Sequence, residues 1–332
     1  MTSKPNLVIT AAFDPAKAEK LSEHFTVHSV EPSIAGESLS SRGIDELLST
    51  AEVVITELDR VDEASLAKSP RLRAVVSCRA NPVNVDIPSC TDRGIPVLAT
   101  PARNAEVTAD LAFALLLMTV RHTSQAERWL RGGNWTQDDV FEPYSLFRGI
   151  QLSGRTLGIL GGGAVGRGVL RRALGFGMDV IVYDPFLPED AFGGDARVAP
   201  LDEVLATSDI ITLHVPLMES TVGLLGAREL SLVQPNAYLI NAARAALIDE
   251  EALVQAVTER RLAGVGLDVF WHEPTATDHP LFSSDIVTMT PHIAGASDDV
   301  IREHSRIAVD GLLEWTRNQK PKTVKNPEVF SD

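Results

Sequence analysis

The chain has 332 residues, with 30 Lys plus Arg against 45 Asp plus Glu and a formal net charge of −15. At roughly 150 residues per domain this length points to two domains, and the acidic balance argues against a nucleic-acid partner, whose phosphates need clustered Lys and Arg. Hydrophobic residues at 44% and charged residues at 23% are ordinary for a globular chain and exclude wholesale disorder, collagen and coiled coil.

Apolar, Val- and Ile-rich runs recur at Leu7–Ala11, Val53–Thr56, Ala74–Ser77 and Pro96–Ala99. They recur again at Thr156–Leu160, Val180–Tyr183, Ile210–Val215, Tyr238–Ala242, Gly264–Val269 and Ile286–Met289. Gly, Pro, Asp or Ser bound many of them, as expected of buried parallel strands, and helical stretches lie between, so the class is α/β. Ala105–His122 reads as one long apolar helix and Ser297–Arg317 as a second, amphipathic one, with about six strand–helix units between them. This order predicts a nucleotide-binding domain over residues 103–296, inserted into a smaller domain made of residues 1–102 and 297–332, with the two long helices crossing between domains. Residues 123–149 carry Trp129, Trp135, Phe141, Tyr144 and Phe147 with little periodicity, an irregular arm that reads either as a subunit interface or as local packing.

The run Leu111–Val120 is shorter than the ~20 residues that span a bilayer, so no membrane partner is expected. The N-terminal stretch has no apolar signal core. The two cysteines, Cys78 and Cys90, point to a reducing compartment without disulfides. A cytoplasmic location is the expectation.

The strand Thr156–Leu160 runs straight into Gly161-Gly-Gly-Ala-Val-Gly166, a G-x-G-x-x-G whose continuation from Ala164 to Leu174 reads as a helix. Gly161 permits the tight turn, Gly163 lets backbone approach a pyrophosphate, and Gly166 lets the helix sit close on the strand. Ala164 and Val165 open the helix, whose N-terminus offers free N–H groups and a positive dipole end. The flanking strand and helix make the motif specific. The next strand ends at Asp184, 18 positions after Gly166. A carboxylate there binds the ribose hydroxyls of NAD and repels the 2′-phosphate of NADP. The plain alternative is a residue that opens the turn before Pro185.

Three further segments end strands where open α/β sheets bind ligands. They are Asn241-Ala-Ala-Arg244, Leu267-Asp-Val-Phe270 with Glu273-Pro274, and Thr290-Pro-His-Ile-Ala-Gly295. A fourth, Leu213-His-Val-Pro-Leu217, precedes them. In this ordered set, from about Ala74 to about Pro327, the sequence resembles the D-isomer-specific 2-hydroxyacid dehydrogenases of the short, phosphoglycerate dehydrogenase-like form without a regulatory domain. The resemblance implies two doubly wound parallel-sheet domains, a Rossmann NAD-binding domain inserted into a smaller flavodoxin-like substrate domain, and a homodimer.

The chemistry is legible from the residue types. A 2-keto acid offers a carboxylate and an adjacent carbonyl, and the planar fork of Arg244 can bind both. His292 can give a proton to the carbonyl oxygen as hydride reaches C2. Glu273 can hold the second ring nitrogen and favour the imidazolium. The resemblance implies the same three roles. It also implies that Asp268 lies near the nicotinamide carboxamide and that the backbone of Pro216, Ala242 and Arg244 lines the cofactor. His214 reads as structural or cofactor-lining, and His24, His28, His272 and His279, which carry no motif, as solvated. No His, Cys and carboxylate cluster has zinc spacing, and hydride chemistry needs no metal.

The sequence departs from the family in its first domain. Arg79-Ala-Asn-Pro-Val-Asn-Val-Asp86 is two residues shorter than the usual glycine-rich substrate loop, with Asn81-Pro82 in place of flexible glycines. Arg79 and Asn81 are the candidate substrate contacts there. Arg79 and Arg103 either meet a phosphate or second carboxylate on the substrate or make ordinary salt bridges. A formate-type reaction relays no proton, and the carboxylate at Glu273 argues against it. The rival from another class is a non-enzymatic NAD sensor or corepressor, since C-terminal-binding proteins share these motifs.

Overall fold

A computed structural model describes residues 4–33 and 36–330. The chain divides into two units, Met1–Asn104 with Ser297–Asp332, and Ala105–Ala296. The division falls after Asn104 rather than Ala102. Within the first unit the Arg103 guanidinium pairs with Glu57 at 2.5 Å and meets His304 Nδ1 at 3.0 Å, so the turn that carries it belongs there.

The first unit contains strands β1 (Asn6–Ile9), β2 (Thr26–Ser29), β3 (Ala51–Thr56), β4 (Ala74–Ser77) and β5 (Val97–Leu98), all parallel in the order β2-β1-β3-β4-β5. This is the flavodoxin-like order. Side chains alternate across it. Leu7, Ile9, Val53, Ile55 and Val76 pack with Ala308, Val309 and Leu312 of the helix Asp298–Thr316. Val8, Val54, Val75 and Val97 pack on the other face with Leu48, Leu66 and Cys90. Both faces are covered, which is why these strands read as unbroken apolar runs rather than alternating ones. Edge strand β2 was not expected from the sequence. None of its four residues is buried, so it leaves no apolar run to read.

The second unit holds a seven-stranded parallel sheet. Its strands are β6 (Thr156–Leu160), β7 (Asp179–Tyr183), β8 (Arg197–Val198), β9 (Ile210–Leu213), β10 (Tyr238–Asn241), β11 (Gly264–Leu267) and β12 (Val287–Met289). The order β12-β11-β10-β9-β6-β7-β8 places β6 between β7 and β9. That is the Rossmann order with one strand added, and its switch point lies at the end of β6. Leu157, Ile159, Val180 and Ile240 share one core with Ala109, Phe113 and Leu116 of the helix Ala105–Val120. Leu160, Ile211, Leu239 and Val265 share the other with Leu253 and Ala256 of the helix Glu250–Thr258. Strand β8 was missed because two residues are too few to carry a pattern.

The helix from Ala105 stops at Val120, and His122 takes a left-handed φ of 53° that starts the next element. The stretch expected to be irregular contains two helices, Thr123–Arg131 and Glu142–Leu146, neither with a buried residue. Trp129 meets Phe147 edge-on at 5.7 Å, while Phe141 and Tyr144 are 73% and 77% exposed. Among the described residues no helix is long and apolar enough to cross a membrane.

Candidate active site

The motif residues of the second unit all lie just past the carboxyl ends of its strands. At the end of β6, Gly161 has φ 105°. A Cβ there would lie 2.7 Å from the backbone of His214 and Val215, and one on Gly166 would lie 2.0 Å from the Gly161 carbonyl. Both positions therefore exclude any side chain. Gly163 is different, since nothing stands within 4 Å of where its Cβ would be, which leaves room for a ligand group. The first helical bond runs from Arg167 N–H to Gly163 O at 2.9 Å. The N–H groups of Ala164, Val165 and Gly166 precede that ladder, as the first donors of any helix do, and form the anion-favouring end.

Asp184, past β7, accepts the Gly162 N–H at 2.9 Å with one oxygen and the Phe186 N–H at 3.0 Å with the other. It thus opens a turn and also pins the glycine loop. With Gly161, Gly163, His214, Pro216 and Thr221 it lines a pocket of about 340 Å³. The lining has the sparse polar groups and backbone access of a cofactor site. Burial pushes the His214 imidazole down to about 4, which keeps it neutral, with Nε2 at 3.0 Å from Thr212 Oγ1.

Past β10, the buried Asn241 side chain accepts the Ala243 N–H at 3.0 Å and donates to Arg244 O at 2.9 Å. This closes the turn from which the exposed Arg244 projects. Ala242 is buried in the same turn. Past β11 and β12, Glu273 Oε2 lies 2.6 Å from His292 Nδ1, and Glu273 Oε1 accepts the Phe270 N–H at 2.9 Å. Partial burial alone would raise the Glu273 carboxyl. The hydrogen bonds from His292 and Phe270, and the charges of His292 and Arg244, outweigh it and hold the carboxyl below its ordinary value. Arg244, Glu273 and His292 are thus electrostatically linked. The pair also borders an apolar cavity of about 480 Å³ lined by Phe270, Pro274, Phe282, Met289 and Pro291. Phe282 carries no signal in the sequence.

Asp268 follows directly on the carboxyl end of β11. It is fully buried, and its carboxylate accepts Thr290 Oγ1 at 2.6 Å, Ile293 N–H at 2.9 Å and Ala294 N–H at 2.8 Å. Burial of a carboxylate needs such donors, and they all come from the segment that carries His292.

Within the first unit, Arg79 is partly exposed and Asn81 exposed on the loop after β4. That loop is tied down by Asn84, which accepts Ser77 Oγ at 2.8 Å and donates to Asp59 O at 3.0 Å. Arg103 makes the salt bridge with Glu57, the plainer of its two readings. His304 Nε2 donates to Ala12 O at 2.7 Å, so its Nδ1 is left to accept from Arg103. His279, expected to be solvated, instead pairs with Glu250 at 3.0 Å and stacks on Trp271 at 6.2 Å.

Comparison with known proteins agrees with this geometry. Residues 113–294 match the D-isomer specific 2-hydroxyacid dehydrogenase, NAD binding domain. A glyoxylate reductase of Pyrococcus furiosus is 35% identical over 331 residues, covering 98% of this chain and 97% of that protein. A solved NADPH-dependent glyoxylate/hydroxypyruvate reductase from Sinorhizobium meliloti has a TM-score of 0.77 at 29% identity, covering 98% of each chain. The D-lactate dehydrogenase of Aquifex aeolicus, solved with NAD and lactic acid, has a TM-score of 0.68 at 28% identity, over 94% of this chain and 96% of that one. A glycine loop at the switch point of a Rossmann sheet, with an Arg and a His–Glu pair on the same edge, defines a nicotinamide-dependent oxidoreductase. The chain belongs to the D-isomer-specific 2-hydroxyacid dehydrogenase family, with NAD as its cofactor.

Proposed function

We propose that this protein reduces a short 2-keto acid to its D-2-hydroxy acid and catalyses the reverse oxidation. Arg244 binds the carboxylate and carbonyl, and the His292–Glu273 pair exchanges the proton. The observation that carries this reading is the 2.6 Å contact between His292 Nδ1 and Glu273 Oε2. With Nδ1 held, Nε2 is the ring nitrogen left to serve a substrate. Glu273, ionised over the working pH range, favours the imidazolium that donates in reduction. In that direction Nε2 gives its proton to the carbonyl oxygen, and in oxidation it takes the hydroxyl proton back. The guanidinium of Arg244 orients the two oxygens as a planar fork and stabilises charge on the carbonyl oxygen.

NADH, when bound, supplies the hydride that reaches C2. Gly161, Gly163, Ala164, Val165 and Gly166 would hold its pyrophosphate and Asp184 its ribose hydroxyls, with backbone of Pro216, Ala242 and Arg244 along the rest. The open space over Gly163 supports this fit.

The test is NADH oxidation against glyoxylate, hydroxypyruvate, pyruvate and 2-ketobutyrate, with His292→Ala alongside. Turnover of at least one acid, cut by about 10²–10⁴ in the variant while NADH binding stays nearly constant, is the expected result. Near-normal reduction by His292→Ala would overturn the proton-transfer assignment. NADH binding without turnover of any acid would favour the sensor.

We also propose a two-fold homodimer through the arm, whose helices Thr123–Arg131 and Glu142–Leu146 bury no residue of their own and leave Trp135, Phe141 and Tyr144 exposed. Two-fold dimers are the commonest closed assembly. Light scattering at micromolar concentration should give twice the chain mass, and a monomer would refute it.

A further inference from the structure

Glu273 lies in a loop that cannot place itself. The loop joins β11 to β12, and none of residues 272–278 is buried. Glu273 Oε2 is nevertheless held 2.6 Å from His292 Nδ1. A loop without buried side chains has little packing of its own to hold it, while a proton-transfer pair needs its geometry fixed closely. The residues that fix this one stand at its base. The rings of Trp271 and His279 stack across it, with centroids 6.2 Å apart and planes 8° from parallel. Beside them the rings of Phe270 and Phe282 meet at 6.0 Å. The chain thus leaves and returns through two ring contacts, the build of a compact surface loop whose ends are close. Trp271 also packs against the apolar core, so the base is anchored where the loop itself is not.

Both residues of the stack are tied to one further segment. Trp271 Nε1–H donates to Ile248 O at 2.9 Å. His279 Nδ1 accepts the Leu281 N–H at 3.2 Å, so Nε2 carries the proton and donates it to Glu250 Oε1 at 3.0 Å. The His279 side chain is only 15% exposed. Ile248 and Glu250 end the stretch that starts at Arg244 and runs through the short turn Ala245–Leu247, whose Leu247 N–H returns to Arg244 O at 3.3 Å. The two contacts therefore fasten the loop of Glu273 to the segment that carries Arg244.

We propose that His279 and Trp271 are positioning residues for Glu273. They clamp the base of its loop onto the segment Ile248–Glu250, and the clamp holds the Glu273 carboxylate against His292. The proposal rests on the acid–base reading of Glu273 and His292. Neither clamp residue is assigned a contact with the reacting atoms, so each acts only through the carboxylate it places. That separates them from residues that merely support the fold, whose loss would be felt whether or not Glu273 is present.

The test is a double-mutant cycle of His279→Ala with Glu273→Ala, read as kcat and KM for keto-acid reduction and as Kd for NADH by fluorescence titration. His279→Ala should lower kcat about tenfold, with KM and Kd for NADH changed less than about threefold. In the Glu273→Ala background the same change should have almost no effect on kcat, because nothing is left on the loop to position. Glu250→Ala removes the same contact from the other side and leaves intact the helix cap that Asp249 makes with the Ala252 N–H. It should reproduce the loss, which carries the test should His279→Ala fail to fold. Glu250→Gln keeps an acceptor oxygen and should restore kcat. Trp271→Phe keeps a ring for the stack but loses the N–H, and should lower kcat in the same pattern. An equal loss in both backgrounds, an unchanged kcat in His279→Ala and Glu250→Ala, or a loss carried by Kd for NADH would overturn the proposal. If Glu273→Ala alone leaves turnover intact, the acid–base reading fails instead, and the two failures are distinct.

Discussion

Glu273 touches His292 through one oxygen and a backbone N–H through the other. The 2.6 Å contact to Nδ1 is therefore made by a carboxylate that cannot rotate freely, because the Phe270 N–H fixes its plane. A fixed acceptor selects the tautomer and orientation of the ring.

Removing that charge while keeping the shape should move the pH profile. Glu273→Gln should shift the alkaline fall of keto-acid reduction to lower pH, because the imidazolium that donates is lost sooner. The oxidation profile, which needs the neutral ring, should extend to lower pH. Rates measured from pH 5 to 9 in both directions check this, and an unchanged pair of profiles would refute the linkage. The stability sign follows from the depressed Glu273 carboxyl. The carboxylate's contribution is complete above its ordinary value, about 4.5, and fades as pH falls toward the folded value.

Arg244 stands on a turn closed by the buried Asn241 side chain. Arg244→Lys keeps the charge but loses the planar fork. It should raise KM for the keto acid and lower kcat together, by about 10²-fold or more in kcat/KM, which corresponds to roughly 3 kcal/mol. Steady-state kinetics at saturating NADH read this directly, and a pure KM effect would contradict a role in the transition state.

Asp184 accepts two backbone N–H groups on the rim of the cofactor pocket. Its charge should give a strong preference for NADH over NADPH. Asp184→Asn, which keeps an acceptor for the loop, should narrow that preference. Asp184→Ala should also weaken NADH itself by roughly 1.5–3 kcal/mol through loss of charged hydrogen bonds. Equal affinity of the unmodified protein for both cofactors would refute this assignment.

The 2.0 Å approach between a Gly166 Cβ and the Gly161 carbonyl leaves the loop no way to accept a side chain without moving. Gly166→Val should therefore abolish measurable NADH binding. It should also lower the melting temperature, since the strand β6 and the helix Ala164–Gly175 are then pushed apart. Fluorescence titration and a thermal melt check the two parts separately, and retained NADH affinity would show that the close approach is dispensable.

Read by itself, the sequence determined what depends on neighbours along the chain. Buried parallel strands announce themselves as runs such as Leu157–Leu160, because both faces of each sheet are covered. The glycine loop is equally local, since Gly161, Gly163 and Gly166 lie within one turn and its flanking strand and helix are contiguous with it. Edge strands β2 and β8 escaped because they bury little and so impose no pattern. The helices of the arm escaped because neither buries a residue. What the tertiary structure alone decided are the partnerships of groups far apart in the chain. Asp268 and Ala294 are 26 positions apart, and only the fold brings the carboxylate onto the backbone of the turn after His292. Arg103 and His304 are 201 positions apart, and their contact made a free-looking cation part of a partly buried network. Composition names the charges a chain carries, but only the fold sets which of them are desolvated and which donors are close enough to satisfy them.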